Sequence, residues 1–342
     1  MKCSRLFCLT TSLLIGLAAP ASADNEFKGK TIRIVIGAAA GGAYGLYGQL
    51  VSRHLGQYLP GAPNVVVTPM PGAGGLTALN YIGSANSPKD GTTISIPSPS
   101  LVQESLFNSS SRIDPQGFKW IGRIDAVTYV GVASKKSGVI SVDDARAREV
   151  IAGAPGPTSS NAQIPLVLNK MAGTRFKLIT GFTGTGEVFL ALERGELDIA
   201  ATSAATLRAV HGDAMKTGAL RAVFVHAGNR LADFPSVPTI SEFAKTDLEK
   251  KFMKVFSIAP EIGRSLAAPP GTSDAITEVL RIGYRSMIKD VAFLADARKI
   301  EANVEPMEGS ELGRIVEEAM IAGRTDADQL KKYYDDLFGS MK

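Results

Sequence analysis

Two glycine-rich loops are the parts of this chain whose residue types and spacing are best suited to binding a ligand. The first loop, Ala38 to Gly45, follows an apolar strand predicted at Thr31 to Gly37. The second loop, Pro69 to Gly75, follows a strand predicted at Asn64 to Thr68. Glycine lets the backbone approach a bound group closely, and each loop opens a predicted helix whose unpaired N–H groups favour an anion. The pattern therefore predicts that the two loops together hold a small carboxylate.

The elements around these loops predict an open parallel sheet. Ile32, Ile34 and Val35 crowd together in the first strand, which is typical of a strand buried on both faces. A third strand, predicted at Thr92 to Ile96, ends in a Ser/Pro loop that contains Ser98. The strand–helix–strand order predicts an α/β lobe with right-handed crossovers. Parallel strands place their loops at one sheet edge, where such sheets bind ligands.

The same pattern starts again in the second half of the chain. Two predicted strands lead into the hydroxyl- and glycine-rich loops Gly156 to Asn161 and Gly181 to Gly186, and a third ends at Thr202 and Ser203. This repetition predicts a second α/β lobe that covers the first. A long helix predicted at Ser310 to Lys332 packs on the first lobe.

The sequence also predicts where the lobes begin and end. Residues 24–126 and 255–342 are assigned to lobe 1, and residues 127–254 to lobe 2. The chain would cross between them twice, and we expect hinge strands near Ala126 to Tyr129 and near Lys251 to Phe256.

The first 23 residues are predicted to be a secretory signal peptide. Lys2 and Arg5 give it a basic start, and the apolar run Leu6 to Ala18 is too short to cross a bilayer. Ala21-Ser22-Ala23 is a small-residue cleavage site, so cleavage is expected after Ala23. No Cys follows that point, which argues against a lipoprotein anchor.

The mature chain is expected to reside in the bacterial periplasm and to fold without disulfides. Cys3 and Cys8 both lie in the signal peptide, so the apolar core must hold the protein together. The remaining residues, about 320, suffice for two lobes. The formal net charge of +4 falls to about +2 without the signal peptide, and no long block of Lys or Arg predicts binding to nucleic acid.

Familiar catalytic and metal-binding patterns are absent from the sequence. No Gly-Lys-Ser/Thr follows Gly41-Gly42, so the first loop is not a P-loop, and there is no G-x-S-x-G elbow. His54, His211 and His226 have no partner at metal-ligand spacing, and we expect each of them to pack or to face solvent. No catalytic residue, metal or cofactor is predicted.

Other interpretations of the same residues stay open at this point. The glycine loops could be tight turns without a ligand, and Thr158 to Ser160 could simply cap a helix. Because fold alone does not fix function, the scaffold could also serve an exported hydrolase or isomerase. It could equally be a ligand sensor that signals to a kinase.

Several motifs follow one another along the chain in a recognisable order. They are Gly41-Gly42, Pro71-Gly72-Ala73-Gly74-Gly75, Pro88-Lys89-Asp90-Gly91-Thr92, Gly181-Phe182-Thr183-Gly184, Ala191 to Asp198, Phe234 to Ile240, and Ala268-Pro269-Pro270-Gly271-Thr272. In these motifs the chain resembles the substrate-binding proteins of tripartite tricarboxylate transporters, also called the Bug family of periplasmic receptors. The resemblance covers nearly the whole mature chain.

The resemblance implies a periplasmic-binding-protein fold of type II, with two α/β lobes and a ligand cleft between them. It implies that the ligand carboxylate sits between the first two loops, held largely by backbone groups and ordered waters, while lobe 2 closes over it. It also implies a receptor that delivers a small organic carboxylate to integral membrane transporter subunits and does no chemistry. We expect it to be a monomer.

Carried onto this sequence, the resemblance implies ligand-binding residues in both lobes. They are Ala39, Ala40, Gly41, Gly42, Ala43, Tyr44, Gly45, Met70, Gly72, Ala73, Gly74, Gly75 and Ser98 in lobe 1, and Thr158, Ser159, Ser160, Asn161, Thr183, Gly184, Thr202 and Ser203 in lobe 2. Gly45 and Gln49 stand where the family usually has Asp and Arg, which argues against amino-acid ligands such as aspartate. The number of carboxylates on the ligand is left open, as is whether it is aromatic.

Overall fold

The structure is a computed structural model. It describes residues 26–38, 40, 43–72, 75–108, 111–156, 159–182 and 184–339. Two β-sheets with helices on their faces form the molecule, one sheet to each lobe. The predicted α/β architecture with two lobes is confirmed.

The strands are numbered along the chain. They are β1 (Thr31–Ile36), β2 (Asn64–Pro69), β3 (Thr93–Ile96), β4 (Lys119–Asp125), β5 (Tyr129–Ser134), β6 (Val150–Ala154), β7 (Phe176–Thr180), β8 (Ile199–Ser203), β9 (Leu220–His226), β10 (Arg264–Ala268) and β11 (Met307–Glu308). The sheet of lobe 1 has the order β11-β4-β10-β3-β1-β2, and the sheet of lobe 2 has the order β7-β6-β8-β5-β9.

The two sheets share one topology. In lobe 1, β1 lies between β2 and β3 and is parallel to both, and in lobe 2, β6 lies in the same way between β7 and β8. Each sheet then receives an antiparallel strand, β10 beside β3 and β5 beside β8. These two strands are the first that the chain forms after each passage from the other lobe.

The first strand is buried on both faces, as its composition predicts. Ile32, Ile34 and Ile36 point into one apolar cluster, and Val35 points into another on the opposite face. Since successive side chains of a strand alternate between faces, both sides of the sheet must be covered by helices.

The helices are also numbered along the chain. They are α1 (Ala43–His54), α2 (Leu76–Gly83), α3 (Leu101–Phe107), α4 (Val142–Ala147), α5 (Ser160–Ala172), α6 (Thr185–Arg194), α7 (Ala204–Lys216), α8 (Asp247–Phe256), α9 (Ile258–Ile262), α10 (Asp274–Met287), α11 (Val291–Lys299), α12 (Gly309–Thr325) and α13 (Ala327–Phe338). Short 3-10 turns lie at Leu55–Tyr58, Pro115–Gly117, Lys135–Ser137 and Ile240–Phe243. Within the described ranges, no helix combines the length and the apolar character needed to cross a membrane.

The second hinge strand predicted from the sequence is wrong, because Lys251 to Phe256 belongs to helix α8. Its buried residues recur at helical rather than strand spacing, and the Phe252 ring packs on the ring of Tyr333 with 4.9 Å between centroids. The two passages between the lobes touch, since the N–H of Val127 donates to the carbonyl of Pro260 at 3.0 Å.

The predicted C-terminal helix is also wrong in its extent, because it is two helices. Asp326, with φ −132° and ψ 46°, separates α12 from α13, and its carboxylate pairs with Lys251 of α8. Helices α3 and α7 are absent from the sequence prediction. In α7 only Ala204 and Leu207 are buried, so the helix carries little apolar periodicity for a pattern to reveal.

Three apolar clusters stabilise the fold. One cluster covers one face of the lobe 1 sheet, and a second covers one face of the lobe 2 sheet. The third continues from lobe 1 into lobe 2 through α8, α12 and α13. In that shared cluster, Phe256 stacks on Phe338 with 5.9 Å between ring centroids. The lobes are therefore joined by packed side chains as well as by the chain itself.

We predict that Gly131→Ala destabilises lobe 2. A Cβ at Gly131 would lie 2.2 Å from Cζ of Phe224, its cross-strand partner on β9. Overpacking of this kind costs about 1–3 kcal/mol, which urea unfolding of the two proteins would measure.

Gly212→Ala in α7 is the matched control. Nothing lies within 4 Å of the added methyl group, and removing glycine from a helix interior stabilises by about 0.5–1 kcal/mol. Equal effects of the two substitutions would contradict the packing described for Gly131.

Candidate functional site

The loops after β1, β2 and β3 lie side by side at one edge of the lobe 1 sheet. In the parallel register Ile36 faces Pro69 on one side and Ile96 on the other, so the three strands end together. The N–H of Met70 donates to the carbonyl of Ile36 at 2.8 Å and ties the first two loops at their base. The loops that the sequence predicts as neighbours are neighbours in the structure.

The two glycine loops touch through their backbones. A Cβ at Gly37 would lie 2.7 Å from Cα of Gly75, and Gly75 itself has φ +98°, which side chains rarely tolerate. A cavity of about 280 Å³ opens here, lined by Gly37, Ala38, Tyr44, Gly75 and Ser98. Two of its five lining residues are glycines and a third is alanine, so backbone is accessible there to hydrogen-bond with carboxylate oxygens.

A second cavity, of about 560 Å³, lies between the lobes. Lobe 1 lines it with residues that include Tyr44, Ser98, Ser100, Gln103 and Glu104, together with Arg264 and Tyr334, and lobe 2 lines it with Tyr129, Ser160, Gln163 and His226. Tyr44 and Ser98 line both cavities, so the pocket at the glycine loops opens beside the cavity between the lobes.

Arg264 brings a positive charge to this cavity. Its guanidinium carbon lies 4.4 Å from the ring centroid of Tyr44 and 5.9 Å from that of Tyr47. A cation over the face of a tyrosine ring is attracted by the ring quadrupole. Gly263, the residue before Arg264, has φ +47° and approaches the carbonyl of Asp125 so closely that a Cβ would lie 2.1 Å from that oxygen. Glycine therefore allows the backbone to bring Arg264 to this position.

Asp125 lies beside Arg264 across the β4–β10 pairing, but its carboxylate accepts hydrogen bonds from other residues. The Tyr47 hydroxyl lies 2.9 Å from Oδ2 of Asp125, and Asn303 donates to Oδ1 at 2.6 Å. Burial raises the pKa of Asp125 despite these donors and despite the charge of Arg264. The carboxylate is thus committed to holding β4 against α1 and the segment before β11.

His226 ends β9 on the wall of the same cavity and is only 2 % exposed. Its ring stacks on Phe256 with 4.9 Å between centroids. The nearby backbone of Phe256 acts to raise the pKa of the ring, but less than burial lowers it. Neither ring nitrogen has a hydrogen-bond partner among the described residues. Burial lowers the pKa of His226 to about 3, so the ring is neutral at physiological pH.

A larger cavity of about 720 Å³ lies on lobe 2 alone. Its charged residues are largely paired within the lobe, for example Arg230 with Glu242 at 2.5 Å and Arg146 with Asp143. All its lining residues come from lobe 2, and none belongs to the loops that follow β1, β2 and β3. The smaller cavity between the lobes is therefore the better candidate for a ligand.

Comparison with known proteins identifies the family. The family model described as "Tripartite tricarboxylate transporter family receptor" matches residues 49–324. The chain belongs to this receptor family. The resemblance seen in the sequence motifs is confirmed, and the family is one of solute-binding receptors rather than enzymes.

Individual relatives agree with this assignment. A UPF0065 protein of Bordetella bronchiseptica is 28% identical over 309 residues, which cover 88% of this chain and 85% of that protein. A TctC solute-binding protein from Polaromonas has a TM-score of 0.69 at 20% identity, covering 90% of this chain and 98% of its own. R. palustris Rpa4515 with adipate has a TM-score of 0.57 at 18% identity, and the match covers 88% of this chain and 97% of that chain. At these identities the two structures show the shared fold.

The structure brings some predicted site residues of this receptor together. Tyr44, Gly75, Ser98 and Ser160 line one or both cavities. Gly72 lies on the second loop, where a Cβ would meet Oγ1 of Thr77 at 2.6 Å. Met70 follows β2 and packs partly against the shared apolar cluster.

Other predicted site residues are engaged in local structure. The hydroxyls of Ser159 and Ser203 accept from Ala162 and Thr206 and cap α5 and α7, and Gly184 precedes α6. Asn161 donates to the carbonyl of Ala201 at 2.7 Å. Thr202 is buried in β8. None of these five lines either of the two cavities described above.

Several predicted residues lie outside the described part of the chain. They are Ala39, Gly41, Gly42, Ala73, Gly74, Thr158 and Thr183. Ala43 begins α1, and only its backbone is described.

Gly45 is explained by the shape of the first loop. A Cβ there would lie 1.8 Å from the carbonyl oxygen of Ala40, so no side chain fits while the loop keeps this course. The Asp that the family usually carries at this place could not be accommodated, and Gln49, at the place of the usual Arg, is exposed.

Sequence reasoning missed Arg264, His226, Gln103 and Gln163 as cavity residues. Arg264 follows the predicted passage near Lys251 to Phe256, and this position is its one signal in the sequence. The structure places His226 at the end of β9 and Arg264 at the start of β10. Gln103 and Gln163 lie on helices, and nothing local distinguishes them from surface residues. In the described residues, no cluster of His, Cys, Asp or Glu could hold a metal ion.

We predict that His226 makes the protein less stable in acid. The unfolded ring has a pKa near 6.5 and the folded ring about 3, so the unfolded chain binds the extra proton first. The stability that neutral His226 contributes is fully present above pH 6.5. It falls by about 1.4 kcal/mol for each pH unit between 6.5 and about 3. His226→Phe, which keeps the ring stack, should lose less stability than the native protein between pH 7 and pH 4.5 in urea unfolding.

His211→Phe is the control for this pH effect. Burial lowers the pKa of His211 too, but that ring is partly exposed and stacks on Phe189 with 4.1 Å between centroids. Its replacement should change the acid sensitivity much less. Identical acid profiles for the native protein and His226→Phe would show that the ring is not held neutral.

Proposed function

We propose that this protein captures a small organic carboxylate in the cleft between its lobes. It delivers the ligand to the integral membrane subunits of a tripartite tricarboxylate-type transporter. The observation that carries the proposal is the meeting of three loops at the ends of β1, β2 and β3, where backbone lines a pocket that opens beside the cavity between the lobes. Such an edge of an open α/β sheet is where ligands bind.

Each lobe has a part in this proposal. The glycine loops of lobe 1 hold the first carboxylate by backbone N–H groups and hydroxyls. Ser160 and the neighbouring loop residues of lobe 2 close over it, and a hydroxyl that caps a helix can still contact a ligand. Ligand contacts that exist only in the closed arrangement would stabilise closure.

The remaining expectations follow the family. The protein acts as a monomer in the periplasm after cleavage behind Ala23, and it binds without catalysis. The adipate of the R. palustris neighbour supports an organic acid as ligand, although that protein shares the fold at 18% identity only.

A thermal-shift panel on residues 24–342 tests the function. The panel holds mono-, di- and tricarboxylates, aromatic acids and amino acids. A ligand present at 100 times its dissociation constant should stabilise the fold by about 2.7 kcal/mol, and mass spectrometry should recover it unchanged. Turnover of a bound acid would favour an enzyme instead, and a panel without any hit would contradict carboxylate capture.

Ser98→Phe tests the location of the site. The added ring would occupy the junction of the two cavities that Ser98 lines, so we expect binding of any acid identified in the panel to be lost. The melting temperature without ligand should stay close to the native value, because Ser98 is only half-buried.

Ser236→Phe is the matched control. It places the same ring in the larger cavity of lobe 2, where Ser236 is exposed. Binding should survive this change. Loss of binding in Ser236→Phe with retention in Ser98→Phe would move the ligand to the other cavity and overturn the assignment.

A further inference from the structure

Arg264 is a cation on the cavity wall for which the described protein provides no paired anion. Its side chain makes no hydrogen bond or ion pair with any described residue, and its Nε is buried without a partner. The two terminal nitrogens have no partner either, but they are not buried. A guanidinium presents five N–H donors in a planar fork that matches a carboxylate.

Arg123, on the neighbouring strand β4, shows what a structural arginine looks like in this sheet. It is 4 % exposed and pairs with the carboxylates of Glu261 at 2.6 Å and Glu305 at 3.4 Å. It also donates to the backbone carbonyls of both residues. The fold thus provides partners for every nitrogen of the Arg123 guanidinium and leaves that of Arg264 open to the cavity.

Asp125 does not neutralise Arg264 directly. Arg264 lies close enough to favour its ionised form, yet no carboxylate oxygen of a described residue lies within 4.0 Å of the guanidinium. The oxygens of Asp125 face Tyr47 and Asn303 instead. The donors of Arg264 therefore stay available.

We propose that Arg264 binds a second anionic group of the ligand, so that this receptor selects small dicarboxylates over monocarboxylates. The proposal rests on the proposed function, in which the glycine loops hold the first carboxylate. Tyr44 joins the two positions, because its side chain lines both cavities and carries the guanidinium on its ring face. In the proposal, a ligand that contacts both groups passes Tyr44.

The other ionisable groups of the cavity fit this assignment. His226 is uncharged at neutral pH and adds no competing cation. Glu104 is the one acid among the lining residues, and its Oε2 accepts from Asn108 at 2.7 Å.

Isothermal titration calorimetry on the mature protein tests the proposal. The probes are the unbranched dicarboxylates from malonate to suberate, each beside the monocarboxylate of the same carbon number. The native protein should bind at least one dicarboxylate about 10-fold or more tightly than its matched monocarboxylate.

Arg264→Gln should weaken that dicarboxylate about 10- to 100-fold and leave the matched monocarboxylate nearly unchanged. Arg264→Lys keeps the charge but loses the planar fork, and its affinity should be intermediate. Arg221→Gln removes the same charge from an exposed position of β9 outside the cavity, and it should change neither affinity. The melting temperature of each variant without ligand reports whether the fold is intact.

The outcomes separate this proposal from the function on which it rests. If no acid binds the native protein, carboxylate capture and the role of Arg264 both fail. If acids bind but Arg264→Gln leaves the preference for dicarboxylates unchanged, only the role of Arg264 fails. An equal loss for both acids would place Arg264 at the first carboxylate and overturn the proposal.

Discussion

The parallel pairing of β1 with both β2 and β3 is the constraint on which the candidate site depends. Because Ile36 faces Pro69 and Ile96, the three strands end at the same level and their loops leave the sheet together. Gly37 and Gly75 then approach so closely that only backbone fits between them. A slip of this register by one residue would reverse the faces of the strand and would also separate the loops.

The two passages of the chain between the lobes position several residues that line the larger candidate cavity. β5 enters the lobe 2 sheet directly after the chain leaves lobe 1, and β10 enters the lobe 1 sheet after the return. Arg264 is the first residue of β10, so the returning strand brings the cation to the mouth of the cleft. Gly263 makes this possible because no side chain fits against the carbonyl of Asp125.

The charged residues near the cleft differ in how far the protein itself pairs them. Arg123 and Asp125 on β4 are buried, and their polar atoms are largely occupied by neighbouring groups. A buried charge that lacks a partner is costly, so these contacts are needed for the fold. Arg264 lies half-buried against two tyrosine rings, where its charge is tolerated without an acid. The difference lies in the contacts and not in the residue type.

Local patterns in the sequence determined the class of fold and predicted that the loops after β1, β2 and β3 lie at one sheet edge. The β-branched runs, the glycine loops after two strands and the ordered motifs depend on neighbours in the chain, and they predict the α/β lobes. The meeting of the loops follows because parallel strands of one sheet end at a shared edge. The same patterns failed at Lys251 to Phe256, which is helical, and at Asp326, which divides a helix. The sequence shows no local break at either place. Contacts with distant residues decide between strand and helix at the first, and between one helix and two at the second.

Only the tertiary structure decided which polar residues are free to meet a ligand. Asn161 and Arg264 are both polar residues near strand or helix ends, yet Asn161 is bonded to the carbonyl of Ala201 and Arg264 has no hydrogen-bond partner among the described residues. His226 was expected to pack or to face solvent, and the fold packs its ring on Phe256 at the wall of the cavity. Whether a side chain is already satisfied depends on partners far away in sequence, and a pattern of neighbouring residues carries no record of them.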